Sequence, residues 1–297
     1  MTVICTITSR SYHAGTAALI NSLVKARFSG RIVVGYMDDL PTWSENARST
    51  LADFKIEINF HKLLADKLAF YHKPDILHHC ITEFQPNRLF FIDSDIVILK
   101  EWNFFETWAG HAIALCSDVN YLHMQSNHPH RHYWRQLLLE HGYNVFERIG
   151  YANGGFVGLN KDCFKLVDIW QRLIATKSTE RGVKTITFEL EHGFQTFDQD
   201  LLNAALMATD LPVSIVGHEG MSFNGALGFM VHAIGRKKPW KCGFVWDLIR
   251  NGRGLPLVAR QFWRHSDGPI KVFHPIERKF AEVEMTITAA LSRLIAR

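Results

Sequence analysis

Arg88-Leu89-Phe90-Phe91-Ile92-Asp93-Ser94-Asp95-Ile96-Val97-Ile98-Leu99 is the strongest apolar run in the chain, and two acids break it. Leu89 to Ile92 are branched or aromatic, which suits a strand buried on both faces. The run resumes directly after Asp95, so the acids mark a strand end inside the core. Two residues apart, Asp93 and Asp95 share one face of an ideal strand, and a slight turn lets both carboxylates reach one cation. Like charges that close repel unless a metal ion or a proton lies between them. Mg²⁺ or Mn²⁺, a hard ion with oxygen ligands, is the natural occupant. Spacing alone leaves a strand-end capping pair equally open.

The residues before this run alternate between strand and helix patterns. Val3 to Ile7 reads as a short buried strand, followed by the polar turn Thr8-Ser9-Arg10-Ser11-Tyr12. A helical pattern then runs from Ala17 through Ile20, Leu23 and Val24. A strand at Ile32 to Tyr36, a helix near Ser44 to Asp53 and a strand at Lys55 to Phe60 continue the series. Such alternation predicts an α/β fold with a mainly parallel sheet covered by helices on both faces. Ligands of such sheets gather at the carboxyl ends of the strands.

Downstream lie a His-rich polar stretch (His123 to His132), the Gly-rich segment Asn153-Gly154-Gly155-Phe156 and a helix near Phe164 to Ile174. Phe197-Asp198-Gln199-Asp200 opens another helix. The histidines alternate with Pro129 and Arg131 and have no carboxylates among them, so they offer no metal-ligand plan and read as a loop beside a binding site or as exposed surface. The chain ends on Phe280, Val283, Ile287, Ala290, Leu291 and Leu294, the spacing of an amphipathic helix, with Arg293 and Arg297 near its terminus. With no repeat or long linker, the chain divides into a catalytic domain over 1–240 and a basic, aromatic C-terminal appendage over 241–297.

Composition narrows the setting. At 297 residues and 47% hydrophobic content the chain can bury a substantial core. Its net charge of +4 is uneven: from Arg236 to Arg297 there are thirteen Lys/Arg against five Asp/Glu. With Trp246, Arg250, Arg253, Arg260, Phe262, Trp263 and Arg264, this end suits peripheral contact with a membrane interface, and equally a surface packing layer with solvated charges. No nucleic-acid motif accompanies the charge, so nucleic acid is not an expected partner. The five cysteines, Cys5, Cys80, Cys116, Cys163 and Cys242, are scattered and odd in number, which suggests neither a disulfide framework nor a zinc site. Without a signal-like start or an apolar run of about 18 residues, the expected location is cytoplasmic, with any attachment at the inner face of the membrane.

Far from the acids, His232, Gly235, Lys238, Pro239 and Trp240 spell H-x-x-G-x-x-K-P-W, a much more specific pattern than D-x-D. An imidazole can complete a metal shell, a glycine admits the close approach of a phosphate, and an ammonium can neutralise a departing diphosphate.

Asp93-Ser94-Asp95, Asn153-Gly154-Gly155, Asp198-Gln199-Asp200 and His232 through Trp240 occur in this order over roughly residues 3 to 240. In these elements the sequence resembles glycosyltransferase family 8, the retaining sugar-nucleotide transferases that include lipooligosaccharide galactosyltransferases and glycogenin. The resemblance implies a GT-A fold, a UDP-hexose donor, Mn²⁺ (or Mg²⁺), a glycan acceptor of the cell-surface polysaccharide kind, and transfer with retained anomeric configuration. It makes Asp93, Asp95 and His232 metal ligands, and puts Lys238 and the Gly235 backbone on the diphosphate. Ser94 joins the donor site, and Asn153, Gly154 and Gly155 line the sugar pocket. Asp198 holds the sugar hydroxyls and Gln199 lies near the anomeric carbon, as the catalytic pair. Asp198 also fits a helix N-cap. Thr8 and Tyr12 stand where the family often has an acidic residue and an Asn reading uracil. Lys73 stands where it often has an arginine, as a donor contact or as a solvated helix-end lysine.

Two other classes remain open. Asp93-Ser94-Asp95-Ile96-Val97 also fits the nucleophile motif of haloacid dehalogenase-like phosphatases, with Asp93 attacking phosphorus and Asp95 as acid/base. That motif usually lies on the first strand and is followed by a second acidic motif, whereas three sheet units precede it here. A non-catalytic glycan-binding module is the third reading, although mere binding needs no metal and diphosphate site.

Overall fold

A computed structural model describes residues 1–121, 123–181, 194, 196–223, 228–235, 237–241 and 243–295. Cys242 and Arg297 lie outside the described residues. The first strand, β1 (Thr2–Thr8), is buried along its whole length and takes the centre of a sheet. Helix α1 (His13–Lys25) leads to β2 (Gly30–Tyr36), α2 (Ser44–Ala52) to β3 (Ile56–Lys62), and α3 (Lys73–Phe84) to β4 (Arg88–Ile92). β1 pairs with β2 on one side and β4 on the other, all parallel, so the chain reverses its direction of travel across the sheet between them. A crevice at the carboxyl ends of β1 and β4 follows from that reversal, and ligands of such sheets bind there. It is formed by Thr8 to Tyr12 and Asp93 to Asp95.

The apolar run around the acids is two strands in two sheets. After β4 the Ile96 amide donates to the Asp93 carbonyl at 3.0 Å, closing a tight turn. β5 (Ile96–Ile98) then leaves the main sheet and pairs antiparallel with a strand from the far end of the chain. Strong hydrophobicity on both sides of the acids reflects burial in two layers: Leu89 to Ile92 and Ile96 to Ile98 are all 2% exposed or less.

Beyond β5 come α4 (Trp102–His111), β6 (Ile113–Ser117), α5 (Pro129–Glu140), β7 (Ala152–Asn160), α6 (Lys165–Arg181), α7 (Phe197–Met207) and β8 (Val213–Val216). The seven-stranded sheet has the order β3-β2-β1-β4-β7-β6-β8, parallel except for β7. The Gly-rich segment at Asn153 is thus the start of a strand, and its glycines allow close packing: a Cβ on Gly158 would meet the Phe90 ring at 2.8 Å. The His-rich stretch is only partly a loop, because Pro129 begins α5 and Arg131 in its first turn is 2% exposed.

β9 (Met221–Ser222) and β10 (Met230–His232) complete a three-stranded sheet with β5. Helices α8 (Phe244–Asn251), α9 (Leu257–His265) and α10 (Pro275–Ile295) follow. Phe244, Val258, Phe262, Trp263 and Ala281 share one core cluster with Ala18, Val97, Val231 and Ala233, so the C-terminal helices rest on α1 and the small sheet. Their outer faces leave Trp246, Ile249, Phe280 and Leu294 exposed. Among the described residues no helix is long and apolar enough to cross a membrane. Cys5, Cys80, Cys116 and Cys163 are free and buried.

Asn21 on α1 fastens the last third of the chain. Its amide nitrogen donates to the carbonyls of His265 and Ile270, each at 2.9 Å, and its oxygen accepts from the Ile270 amide at 2.9 Å. Truncation strands three buried backbone groups, each costing about 1–3 kcal/mol unless water reaches it. Asn21→Ala should therefore lower unfolding stability by roughly 2–4 kcal/mol in denaturant titration. A loss below about 1 kcal/mol would show that water replaces these bonds.

Candidate active site

The turn after β4 and the end of β10 bring Asp93, Asp95 and His232 together, with one ligand atom from each within 4.8 Å of the others. The His232 Nε2 lies 3.1 Å from an Asp95 oxygen and 3.9 Å from an Asp93 oxygen. The Ala233 amide donates to the Asp95 carbonyl at 3.0 Å, which fixes the end of β10 against the turn. The His232 Nδ1 is buried without a hydrogen-bond partner. The imidazole is therefore held by packing, including the Phe223 ring at 5.5 Å, with its other nitrogen directed at the acids.

Two lysines answer the carboxylates. Lys238 lies 2.6 Å from Asp95 and donates to the Ala233 carbonyl, also at 2.6 Å. Lys73 opens α3 and is 6% exposed, with its ammonium 3.3 Å from Asp93, 3.0 Å from Asp198 and 3.0 Å from the Gly154 carbonyl. It is not the solvated helix-end lysine that the sequence also allowed. Burial works against both ammonium groups, but the carboxylates outweigh it and hold both above the ordinary lysine value.

The acids themselves respond in opposite directions. Burial pushes Asp93 up; Lys73 pulls it down, and the neighbouring Asp95 raises it again. Burial acts on Asp95 in the same sense, but His232 and then Lys238 overcome it and hold its carboxyl well below the usual carboxylate range. Three carboxylates thus face two ammonium groups and an imidazole; when the imidazole is neutral, as a metal ligand must be, the cluster carries negative charge that a cation would relieve. Two carboxylates and an imidazole are a donor set suited to Mn²⁺ and accessible to Mg²⁺. The residues fit the metal that the sequence implies.

On the other side of Lys73, the first turn of α7 faces the start of β7. The Gln199 side-chain oxygen accepts from the Gly154 amide at 2.9 Å, and the Asn153 oxygen accepts from the Gly155 amide at 2.8 Å. The Asp93 amide donates to the Gly155 carbonyl at 2.8 Å, so β7 also steadies the acidic turn. Gly155 has no room for a side chain: a Cβ there would meet the Asn153 oxygen and the His232 ring at 2.8 Å and the Asp93 carboxylate at 2.9 Å. Asp198 is not the N-cap of α7, a position that Thr196 takes; it lies inside the first turn, and its carboxylate goes to Lys73.

Three further groups were not picked out by sequence spacing. Asp118, 4% exposed, accepts from the Asn153 side chain at 2.7 Å. Tyr151 donates to Asp200 at 2.6 Å, and Asn203 bonds both the amide and the carbonyl of Ala152 at 2.9 Å. Asp118 ties β7 to the segment after β6, and Tyr151 and Asn203 tie the start of β7 to α7; they carry no short motif of their own, apart from the acid Asp200 after Asp198-Gln199.

A cleft of about 260 Å³ extends from the acids along the ends of β1 and β4. Thr8, Tyr12, Lys73, Ser94 and Phe70 line it; Phe70 was also missed in the sequence. Tyr12 lies edge-on to Trp240 with centroids 5.6 Å apart, and the Lys238 ammonium lies 5.4 Å from the Tyr12 ring. The Trp240 indole donates to the Ser11 carbonyl at 2.8 Å, so the K-P-W segment braces the turn after β1. Gly235 stands apart from these contacts: it is exposed, has φ of 93°, and has open space where a side chain would be.

Solved structures of the same architecture are glycosyltransferases. The chain is similar to the glycosyltransferase GlyE of Streptococcus pneumoniae TIGR4 with a TM-score of 0.55 at 15% identity, over 95% of this chain and 65% of that one. It is similar to the bifunctional glycosyltransferase WbbM with a TM-score of 0.57 at 14% identity, over 96% and 52%. It is also similar to galactosyltransferase LgtC, solved with donor and acceptor sugar analogues, with a TM-score of 0.54 at 16% identity, over 94% and 99%. The chain thus spans just under two thirds of the GlyE chain and about half of the WbbM chain. No family model matches the sequence, and no curated protein matches it. At this identity the likeness is one of fold, and the fold is that of the GT-A glycosyltransferases.

Because Gly155 touches Asn153, His232 and Asp93 together, Gly155→Ala should displace the acids while leaving the sheet intact. Calorimetric titration with Mn²⁺ should show at least a tenfold loss of affinity, as expected when the support of a metal site is disturbed. Unchanged affinity would mean that the three groups do not act as one site.

Proposed function

We propose that the chain is a metal-dependent glycosyltransferase that moves a hexose from a UDP-sugar to a hydroxyl of a glycan with retention of configuration. One observation carries this reading: segments as distant as Lys73, Asp93-Ser94-Asp95, Asp198 and His232 to Lys238 converge at the sheet's switch point in a GT-A fold. Asp93, Asp95 and His232 are the residues that would hold the cation. When bound, such an ion neutralises charge on a diphosphate as a Lewis acid.

The chain's own groups divide the remaining work. The cleft beside Thr8, Tyr12 and Phe70 takes the nucleoside, with Ser94 on its wall. Lys238 and the open backbone at Gly235 meet the diphosphate. Asn153, Gly154 and Gly155 form the floor of the sugar pocket, and Asp198 holds sugar hydroxyls while Lys73, 3.0 Å away, keeps it in place. Gln199 is an uncharged amide with its oxygen already accepting from Gly154, which makes it a poor nucleophile. A front-face displacement suits this arrangement. The bond from the anomeric carbon to phosphate oxygen breaks, and its electrons leave with UDP. The acceptor oxygen bonds on the same face and gives its proton to the departing phosphate. Lys238 favours that step by meeting negative charge as it grows.

The phosphatase reading asks Asp95 to carry a proton to a leaving group. His232 and Lys238 oppose that, since they hold its carboxyl well below the usual range. A binding module alone leaves the buried lysine and carboxylate cluster without a purpose.

Hydrolysis of a panel of UDP-sugars, with and without Mn²⁺, tests the reading. One donor should be turned over in a metal-dependent manner, and Asp93→Asn or His232→Ala should lower the rate at least a hundredfold, the scale of losing a main electrostatic group. The product with a glycan acceptor should keep the donor's anomeric configuration by NMR. Metal-dependent hydrolysis that survives both substitutions would refute the assignment.

A further inference from the structure

Arg131, in the first turn of α5, is a buried charge that the proposed reaction does not use. Its Nε donates to the Gln125 carbonyl at 3.1 Å and one terminal nitrogen donates to the Gly150 carbonyl. The other, Nη1, is buried with no hydrogen-bond partner. Backbone carbonyls supply dipoles, and among the described residues no carboxylate forms an ion pair with it. Burial, followed by the nearby Arg148, pushes this guanidinium down to about 10.

Arg148 is anchored by Nε to the Leu206 carbonyl at 3.1 Å and by Nη2 to the carbonyls of Thr209 and Leu211. Asp210 lies close enough to favour its charge but pairs with Lys165 at 2.9 Å. Both arginines line one cavity of about 440 Å³, within the size range of small-ligand sites. Glu147 is the acid on its wall; it is exposed, and among the described residues no ion pair joins it to either arginine. Two guanidinium groups on one cavity, neither paired with a carboxylate among the described residues, make an anion site.

Helix α7 connects this cavity to the reaction centre. Asp198 and Gln199 occupy its first turn, Asn203 one turn later lines the cavity, and Arg148 binds carbonyls at its far end. From Asp198 to Leu206 the helix advances about 12 Å, at about 1.5 Å per residue. That is the reach of a short oligosaccharide. Ser117 on the cavity wall is followed by Asp118, which holds Asn153 in the sugar pocket.

We propose that the cavity is an acceptor subsite for an anionic group, the carboxylate of a uronic acid or a phosphate substituent, carried on the glycan at a distance from the hydroxyl that is glycosylated. The identity of the ligand as an acceptor rests on the glycosyltransferase reading; the anion site does not. A neutral glycan leaves the Arg131 and Arg148 guanidinium groups uncompensated, whereas an acidic one supplies opposite charge in the cavity that they line. The enzyme therefore selects charged acceptors over neutral ones.

Calorimetry on the full chain with methyl glucuronoside, methyl glucoside and inorganic phosphate tests this. The uronoside should bind at least tenfold more tightly than the neutral glycoside. Arg131→Gln should weaken it at least tenfold. So should Ile149→Asp, which adds an opposing charge at a cavity-lining position that is 71% exposed and cannot disturb the core. Both variants should keep UDP-sugar hydrolysis within twofold of the parent. If Arg131→Gln fails to fold, Ile149→Asp decides alone. Phosphate binding that is lost in Ile149→Asp while the uronoside fails would keep the site and assign phosphorylated glycans to it. Equal binding of charged and neutral glycosides with no phosphate binding, or anion binding unchanged in Ile149→Asp, would overturn the inference. Absence of donor hydrolysis in the parent would instead count against the transferase reading and leave the anion result standing.

Discussion

Lys73 stands between Asp93 and Asp198, and Lys238 and His232 stand on Asp95. Burying carboxylates side by side costs far more than any one contact returns unless opposite charge and hydrogen bonds surround them. The fold meets that requirement by drawing on α3, the turn after β4, α7 and the end of β10. Removing either lysine leaves a buried carboxylate without its ammonium partner, which is more damaging than the net worth of the pair suggests. With the His232 imidazole neutral, as a metal ligand must be, the cluster also carries a negative charge that favours binding a cation.

The rest of the architecture serves this cluster. β7, antiparallel between β4 and β6, passes its Gly155 carbonyl to Asp93 and its Gly154 amide to Gln199, so one strand steadies both the acids and the first turn of α7. The small sheet of β5, β10 and β9 exists because the chain turns out of the main sheet at Asp93, and it delivers His232. Trp240 on the Ser11 carbonyl and Asn21 on the segment from His265 to Ile270 then tie the C-terminal helices to α1.

Much of this was legible in the sequence because it is local. The strand at Arg88–Ile92 matches the run of branched and aromatic residues, and α2 and β2 fall within two residues of their patterns. Helix α1 starts at His13, before its apolar stripe begins, since its first turn packs tightly: a Cβ on Gly15 would meet the Ser94 carbonyl at 2.4 Å. The division of Ile96 to Ile98 into a second sheet was not legible, because its partners at Met230 to His232 lie far along the chain and carry no pairing signal. For the same reason spacing suggested Asp93, Asp95 and His232 but not Asp118, Asn203 or Phe70, whose places depend on packing between remote elements. Arg131 read as part of an exposed polar stretch; its burial follows from α5 lying against α7 and from its bonds to the carbonyls of Gln125 and Gly150.

The central claim is that Asp93, Asp95 and His232 form one metal site. Electron paramagnetic resonance of Mn²⁺ bound to the chain in the presence of UDP tests it most directly. The account predicts stoichiometric binding with a nitrogen coupling from the His232 imidazole, a coupling absent in His232→Ala, and binding lost in Asp95→Asn. Mn²⁺ that binds without any nitrogen coupling, or that binds as well to Asp95→Asn as to the parent, would contradict it.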